Sequence, residues 1–308
     1  MLDLHLDKRS PVALHIQNLT KTYGRITAVD ALSLEVLRGQ VYGLLGPNGS
    51  GKTTTLGMVL GITRPDGGQF TWFDGHYGAD YRRHLGALLE TPNFYPYLSA
   101  RKNLELVARI KRVAAPNVPR LLDLVNLGTR ADYPFKTFSL GMKQRLAIAA
   151  TLVGDPELLI FDEPANGLDP QGIAEVRNTI IDIAATGKTI IMASHILDEV
   201  EKVCSHVAII KRGKLLTTGT VGAIMSSDVN IEIGSPDLAR LRDVLRAEPR
   251  INQVETIDNR LLLTVDQSLT PGELNALAFR NNITVDHLRV KKLSLEAEFL
   301  AITGDNRE

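Results

Sequence analysis

Residues Gly46 to Thr53 read GPNGSGKT and match G-x-x-x-x-G-K-[ST] at every fixed position. An apolar run, VYGLL (Val41 to Leu45), precedes them, and Thr53 to Leu60 reads as a helix leaving the loop. Strand, glycine loop and helix in that order restrict the fold more than any other feature of the chain. The glycines let backbone N–H groups turn inward around anionic oxygens, and the helix N-terminus adds a favourable dipole. The segment Gly46, Pro47, Asn48, Gly49, Ser50, Gly51, Lys52, Thr53 and Thr54 is therefore expected to cradle a nucleoside triphosphate. Lys52 would meet the β- and γ-phosphates, and the Thr53 hydroxyl would ligate Mg²⁺.

A second apolar run, LLIF (Leu158 to Phe161), ends in Asp162 and Glu163. Strand ends of this kind are where doubly wound sheets place ligands. Adjacent residues point to opposite sides of a strand, so the two carboxylates need different roles. Asp162 suits the Mg²⁺ shell, and Glu163 suits a general base that polarises attacking water. His195 follows a third run, IIMAS, in the same orientation. From local sequence it reads equally well as a structural histidine or as a partner of the γ-phosphate.

Strands alternating with helices imply an α/β fold with a mainly parallel core sheet covered on both faces. Before that sheet, Val12 to Ile16 and Leu32 to Val36 read as N-terminal strands, taken as antiparallel. Helical patterning over about residues 95–155 marks a subdomain inserted between the phosphate loop and the Asp-Glu strand. A boundary near Gly219 to Ser227 divides a cassette, 1–224, from a small α+β unit, 225–308. The latter reads strand, helix, hairpin, helix, strand and a last helix from Ser294. Thr270-Pro271-Gly272-Glu273 has capping-box spacing with Pro at the first helical position.

Composition enters chiefly by exclusion. The chain has 35 Lys+Arg and 35 Asp+Glu, a balance that argues against a partner held by bulk electrostatics over the whole chain, whether nucleic acid or an anionic lipid surface. Residues 225–308 hold 10 basic and 14 acidic side chains, a net −4 that the cassette offsets at +4. The single cysteine, Cys204, excludes an intramolecular disulfide and a cysteine-rich metal site. No uncharged apolar run approaches the ~20 residues of a membrane helix. A membrane role would have to come from another subunit, with this chain on the cytoplasmic side.

A third motif precedes the Asp-Glu strand: FSLGMKQR, Phe138 to Arg145. Together with the phosphate loop and LLIFDE, it makes the chain resemble the ATP-binding cassette (ABC) ATPases over roughly residues 12–225. Ser139 and Gly141 match the serine and second glycine of the family's LSGGQ signature. The resemblance implies ATP and Mg²⁺ as cofactors and a head-to-tail homodimer with ATP at the interface. It also implies that Tyr23 stacks on adenine, that Asn166-Gly167-Leu168-Asp169 links the two sites, and that His195 is a switch histidine. Glu90 stands where the family has a glutamine contacting Mg²⁺, Leu140 replaces a signature glycine, and Met142 replaces its glutamine. Glu90 with SLGMKQR and NGLD resembles the bacitracin-resistance and lantibiotic-immunity type of exporter ATPase.

The expectation is thus an ATPase subunit that powers export of a drug or peptide antibiotic through a separate transmembrane permease. Tyr95-Pro96-Tyr97-Leu98 could help to dock that permease or could simply pack as aromatics. The alternative is a soluble non-transport ABC ATPase in cofactor assembly, translation or nucleic-acid maintenance. The chain lacks the long heptads, second cassette or basic tract that nucleic-acid and translation roles would favour. A GTPase would need a guanine-selective NKxD motif, which is absent.

Overall fold

The apolar runs ahead of the charged motifs become the central strands of a sheet, and the periodic segments between them become its covering helices. The computed structural model describes residues 11–89, 93–225, 229–266, 268–291 and 295–304. In chain order these form β1 (Val12–Tyr23), β2 (Ile26–Leu37), β3 (Val41–Leu45), α1 (Lys52–Val59), β4 (Gly67–Trp72) and β5 (Leu85–Leu88). Helices α2 (Ala100–Ile110), α3 (Val118–Leu124) and α4 (Leu140–Thr151) follow, then β6 (Leu158–Asp162), α5 (Pro170–Ala185) and β7 (Thr189–Ser194). Helix α6 (Leu197–Val203) and strands β8 (His206–Lys211) and β9 (Lys214–Thr220) end this part.

The core sheet runs β5-β6-β7-β3-β8-β9. β3 pairs in parallel with β7 and β8, and β6 pairs in parallel with β5 and β7. Every residue of β3, β6 and β7 is buried, as expected for strands covered on both faces. Register places Leu45 beside Ser194 and Asp162 beside Ala193, so the C-terminal ends of three strands finish level. The phosphate loop, the two carboxylates and His195 all leave the sheet at that edge. A separate antiparallel sheet, β2-β1-β4, shares an apolar core with it through Leu14, Ile16, Val36, Leu44 and Leu56.

Helices α2 to α4 lie between β5 and β6, as the helical patterning implies. Ser99 caps α2 by accepting from Lys102 N–H at 3.3 Å, and Ser139 caps α4 by accepting from Met142 N–H at 3.3 Å. Two strands are absent from the sequence reading. β4 begins inside the glycine-rich turn, and β5 is only four residues long, LGAL.

The chain divides between Gly219 and Thr220 into two compact units. The second begins with α7 (Val221–Ile224), so that helix belongs with it. It continues with β10 (Val229–Gly234), α8 (Leu238–Arg246), β11 (Ile251–Ile257), β12 (Arg260–Val265), α9 (Pro271–Arg280), β13 (His287–Lys291) and α10 (Leu295–Thr303). Its antiparallel sheet has the order β11-β12-β10-β13, the split β-α-β-β-α-β arrangement. Ile231, Ile233, Leu261, Leu263 and Val265 on one sheet face pack with Leu241, Leu245 and Leu274. Burial of each such side chain stabilises the unit by about 1.5–3 kcal/mol. The Thr270–Glu273 capping box forms as its spacing implies. Ser294, the expected start of the last helix, lies outside the described residues.

Candidate nucleotide site

The loop after β3 is shaped by two glycines that no other residue could replace without strain. Gly49 and Gly51 have φ of 77° and 107°, in the left-handed region. A Cβ on Gly51 would lie 2.3 Å from the Ala28 carbonyl oxygen of β2. From behind, the turn between β8 and β9 holds the loop, with Gly213 N–H donating to Ser50 O at 2.9 Å. Lys52 folds back over the cradle and donates to Gly46 O at 2.8 Å and Pro47 O at 3.3 Å. The Ser50 hydroxyl is buried beneath without a hydrogen-bond partner.

At the end of β6 the two carboxylates separate as adjacent residues must. Asp162 is only 7% exposed, and its side chain is hydrogen-bonded to that of Thr53. Burial pushes its carboxyl above the usual Asp value, and the neighbouring Glu163 charge adds to this, against the Thr53 bond. Its Oδ1 is buried without a partner, a lone pair facing no donor. Glu163 leaves the strand with φ of 50°, uncommon for a residue with a Cβ, while its N–H donates to Ala193 O at 2.9 Å. Backbone in this region costs about 1–3 kcal/mol and accumulates where function requires it.

That turn sets the Glu163 carboxylate between two partners. Its Oε1 lies 3.6 Å from Lys52 Nζ, and its Oε2 lies 2.7 Å from His195 Nδ1. Thr53, Asp162 and Glu163 line a cavity of about 420 Å³ together with Leu89, Leu140, Gln144 and Asn166. The Thr53 hydroxyl and the unpaired Asp162 oxygen offer hard oxygen ligands beside the cradle, a donor set that fits a divalent cation.

Ser139 and Gly141 do not line this cavity. They line a second cleft of about 440 Å³ with Gly167, Asp169 and Gly172, beside the start of α5. Tyr23 stands half exposed at the β1–β2 hairpin, with Lys21 Nζ 5.4 Å from its ring centroid. Glu90 lies outside the described residues. Leu140, which replaces the signature glycine, is 44% exposed and reaches both cavities. Gln144 and Arg145 close the FSLGMKQR motif, and the structure gives them roles that the motif alone does not specify. Gln144 lines the nucleotide cavity, and buried Arg145 ties α4 to the chain after α3 through Val125 O at 3.0 Å and to Glu175 of α5 at 3.1 Å.

The family model described as ABC transporter matches residues 29–166. The bacitracin transport ATP-binding protein BcrA of Bacillus licheniformis is 37% identical over 293 residues, 93% of this chain and 96% of that protein. The chain belongs to the ABC transporter family. The lantibiotic transport ATP-binding protein SrtF of Streptococcus pyogenes is 40% identical over 66% of this chain and 89% of its own. The structure of cbiO1 from Clostridium perfringens, described as part of the ABC transporter complex cbiONQ, superposes with a TM-score of 0.63 at 26% identity. That match covers 78% of this chain and 97% of the other. The α/β fold here is thus that of an ABC cassette. Among its described residues no helix is long and apolar enough to cross a membrane.

Proposed function

We propose that the chain binds and hydrolyses ATP as the motor subunit of an exporter and works with a separate transmembrane permease. The observation that carries this reading is the Glu163 carboxylate, held between Lys52 and His195 at the mouth of the phosphate loop. In the nucleotide-bound state Lys52 exchanges its backbone acceptors for the β- and γ-phosphates. Backbone N–H groups of Gly49 to Thr54 and the α1 N-terminus surround the same anion. Glu163 then takes a proton from the attacking water, and His195 aligns that carboxylate and presents its other ring nitrogen to the γ-phosphate. Thr53 and Asp162 would hold Mg²⁺, with Glu90 as a further oxygen ligand. Bound there, the ion supplies charge neutralisation for the phosphates.

Ser139 and Gly141 complete the site of a second copy. The α4 N-terminus then faces the partner's γ-phosphate, and Tyr23 stacks on adenine. The Asn166 to Asp169 loop lies beside both cavities, so either site feels the other. The permease would dock at a groove of about 350 Å³ lined by Leu85, Leu88, Phe94, Val107, Lys111 and Ala147. Through it the chain would be peripheral at the cytoplasmic face of the membrane. Relatives named for bacitracin and lantibiotic transport support a peptide antibiotic or drug as cargo.

Lys52→Ala tests the nucleotide reading. Removing a charge-assisted contact worth about 1.5–3 kcal/mol should weaken ATP binding about tenfold to a hundredfold in a titration with a fluorescent analogue. Unchanged affinity would remove the phosphate loop from the site. Co-purification with a membrane protein tests the exporter reading.

A further inference from the structure

The net charge of zero conceals a sharp internal division. Residues 99–154, the helical block, contain ten lysines and arginines against three carboxylates, so the rest of the chain carries the opposite excess. Part of the block's basic excess, Arg101, Arg130 and Lys136 against Asp132, lies on two segments joined side by side. Ala100 N–H donates to Tyr133 O at 3.3 Å, Phe135 N–H to Leu98 O at 2.9 Å, and Lys136 N–H to Pro96 O at 2.9 Å. Inside the joint, Asn103 is 1% exposed and gives its whole amide to the turn: its Oδ1 accepts from Tyr95 N–H at 2.9 Å, and its Nδ2 donates to Tyr95, Leu98 and Ser99 carbonyls.

This rigid joint presents aromatics outward. Tyr95, Tyr97 and Tyr133 are 62%, 80% and 48% exposed, which excludes simple aromatic packing as their role. Phe94, by contrast, turns into the neighbouring groove and packs on Phe135. Exposed cations cover two of the rings: Lys136 Nζ lies 5.1 Å from the Tyr97 centroid and Arg130 lies 4.8 Å from that of Tyr133. The local carboxylate, Asp132, is already paired with Arg101 at 2.9 Å. Tyrosines interleaved with exposed cations that form no ion pair among the described residues make up the chemistry of a membrane interface, where rings sit at headgroup level and basic side chains meet anionic lipid.

We propose that this tyrosine–cation surface, Tyr95, Tyr97, Arg130, Tyr133 and Lys136, rests on the anionic headgroups of the bilayer. It is a contact separate from the permease groove. The permease then fixes the cassette at one place, and the lipid surface steadies the helical block that carries Ser139. Neither the nucleotide nor the permease is needed for the lipid contact, so it can be measured on the full chain alone.

The test is co-sedimentation of the full chain with phosphatidylcholine vesicles, with and without phosphatidylglycerol. Binding should require the anionic lipid and should fade with added salt. Arg130→Gln with Lys136→Gln should weaken it by about fivefold for each cation removed. Tyr97→Ala with Tyr133→Ala should weaken it further, whereas Lys202→Gln on α6 should not. Binding of all variants as strongly as the parent, or no preference for phosphatidylglycerol, would overturn the proposal. So would intact vesicle-independent behaviour with loss of ATPase coupling only in the permease complex, which would assign the surface to a protein. ATP affinity measured on the same variants keeps this outcome distinct from failure of the nucleotide reading, because all five residues lie outside the nucleotide cavity.

Discussion

The cassette and the C-terminal unit treat their charged groups in opposite ways. In the cassette, Asp162 keeps a buried oxygen without a partner, and Glu163 holds a strained backbone to face Lys52 and His195. In the C-terminal unit, Arg250 bridges Glu248 and Glu273, while Glu273 closes a capping box on Thr270. There the polar exceptions among the described residues are Arg242 Nε and His287 Nε2, and the latter lies 3.6 Å from Glu232. One region leaves a carboxylate oxygen unsatisfied beside the candidate site; the other ties its carboxylates into local networks. The difference teaches where chemistry belongs in a chain whose two units are both well packed.

Substitutions in each region should separate these behaviours. Leu263 is fully buried in the C-terminal core, and Leu263→Ala should cost that unit about 2–5 kcal/mol in denaturant unfolding. ATP affinity should remain that of the parent; an equal loss of affinity would break the comparison. Glu273 gives a pH signature. Its carboxyl is held down to about 2 by Thr270 N–H, the Thr270 hydroxyl and Arg250, from an ordinary 4.5. The folded value is depressed, so this stabilisation is present above about 4.5 and is lost as pH falls toward about 2. Glu273→Gln should flatten the unfolding profile across that window. An unaltered profile would show that the exposed network contributes nothing.

The smallest effect should have the opposite sign. Asp162 has a folded pKa raised by burial, so its ionised form costs stability once pH rises through that value. Asp162→Asn should therefore raise the thermal midpoint of the ligand-free chain slightly at neutral pH while lowering metal-dependent hydrolysis. A lower midpoint would mean that the carboxylate is structural and would blur the contrast between the two regions.

The candidate nucleotide site was legible as a pattern because such chemistry needs contiguous residues: a glycine loop, and carboxylates at the end of a buried run. Strands β3, β6 and β7 were legible for the same reason, being short, apolar and bounded. β4 was hidden because it starts at Gly67-Gly68 and buries only Trp72 fully, so neither composition nor alternation marks it. β5 is four residues with Gly86 inside, at a position where a Cβ would lie 2.3 Å from Thr151 O. Asn103 was missed because its partners are backbone groups of a turn, and the bracing role of Arg145 was hidden because Val125 O and Glu175 are distant in sequence. Asn103 did carry a signal: it shares the buried face of α2 with Ala100, Leu104 and Ala108, where an asparagine must find partners. The cleft formed by Ser139, Gly167 and Asp169 depends on how two helix starts approach, which spacing alone does not determine.

Hydrolysis in this chain depends most directly on Glu163 acting as the base. Single-turnover hydrolysis by Glu163→Gln, measured beside ATP binding on the same preparation, isolates that role. The expected result is parental ATP affinity, hydrolysis slower by about a hundredfold or more, and accumulation of an ATP-bound dimer. Hydrolysis at the parental rate would contradict it.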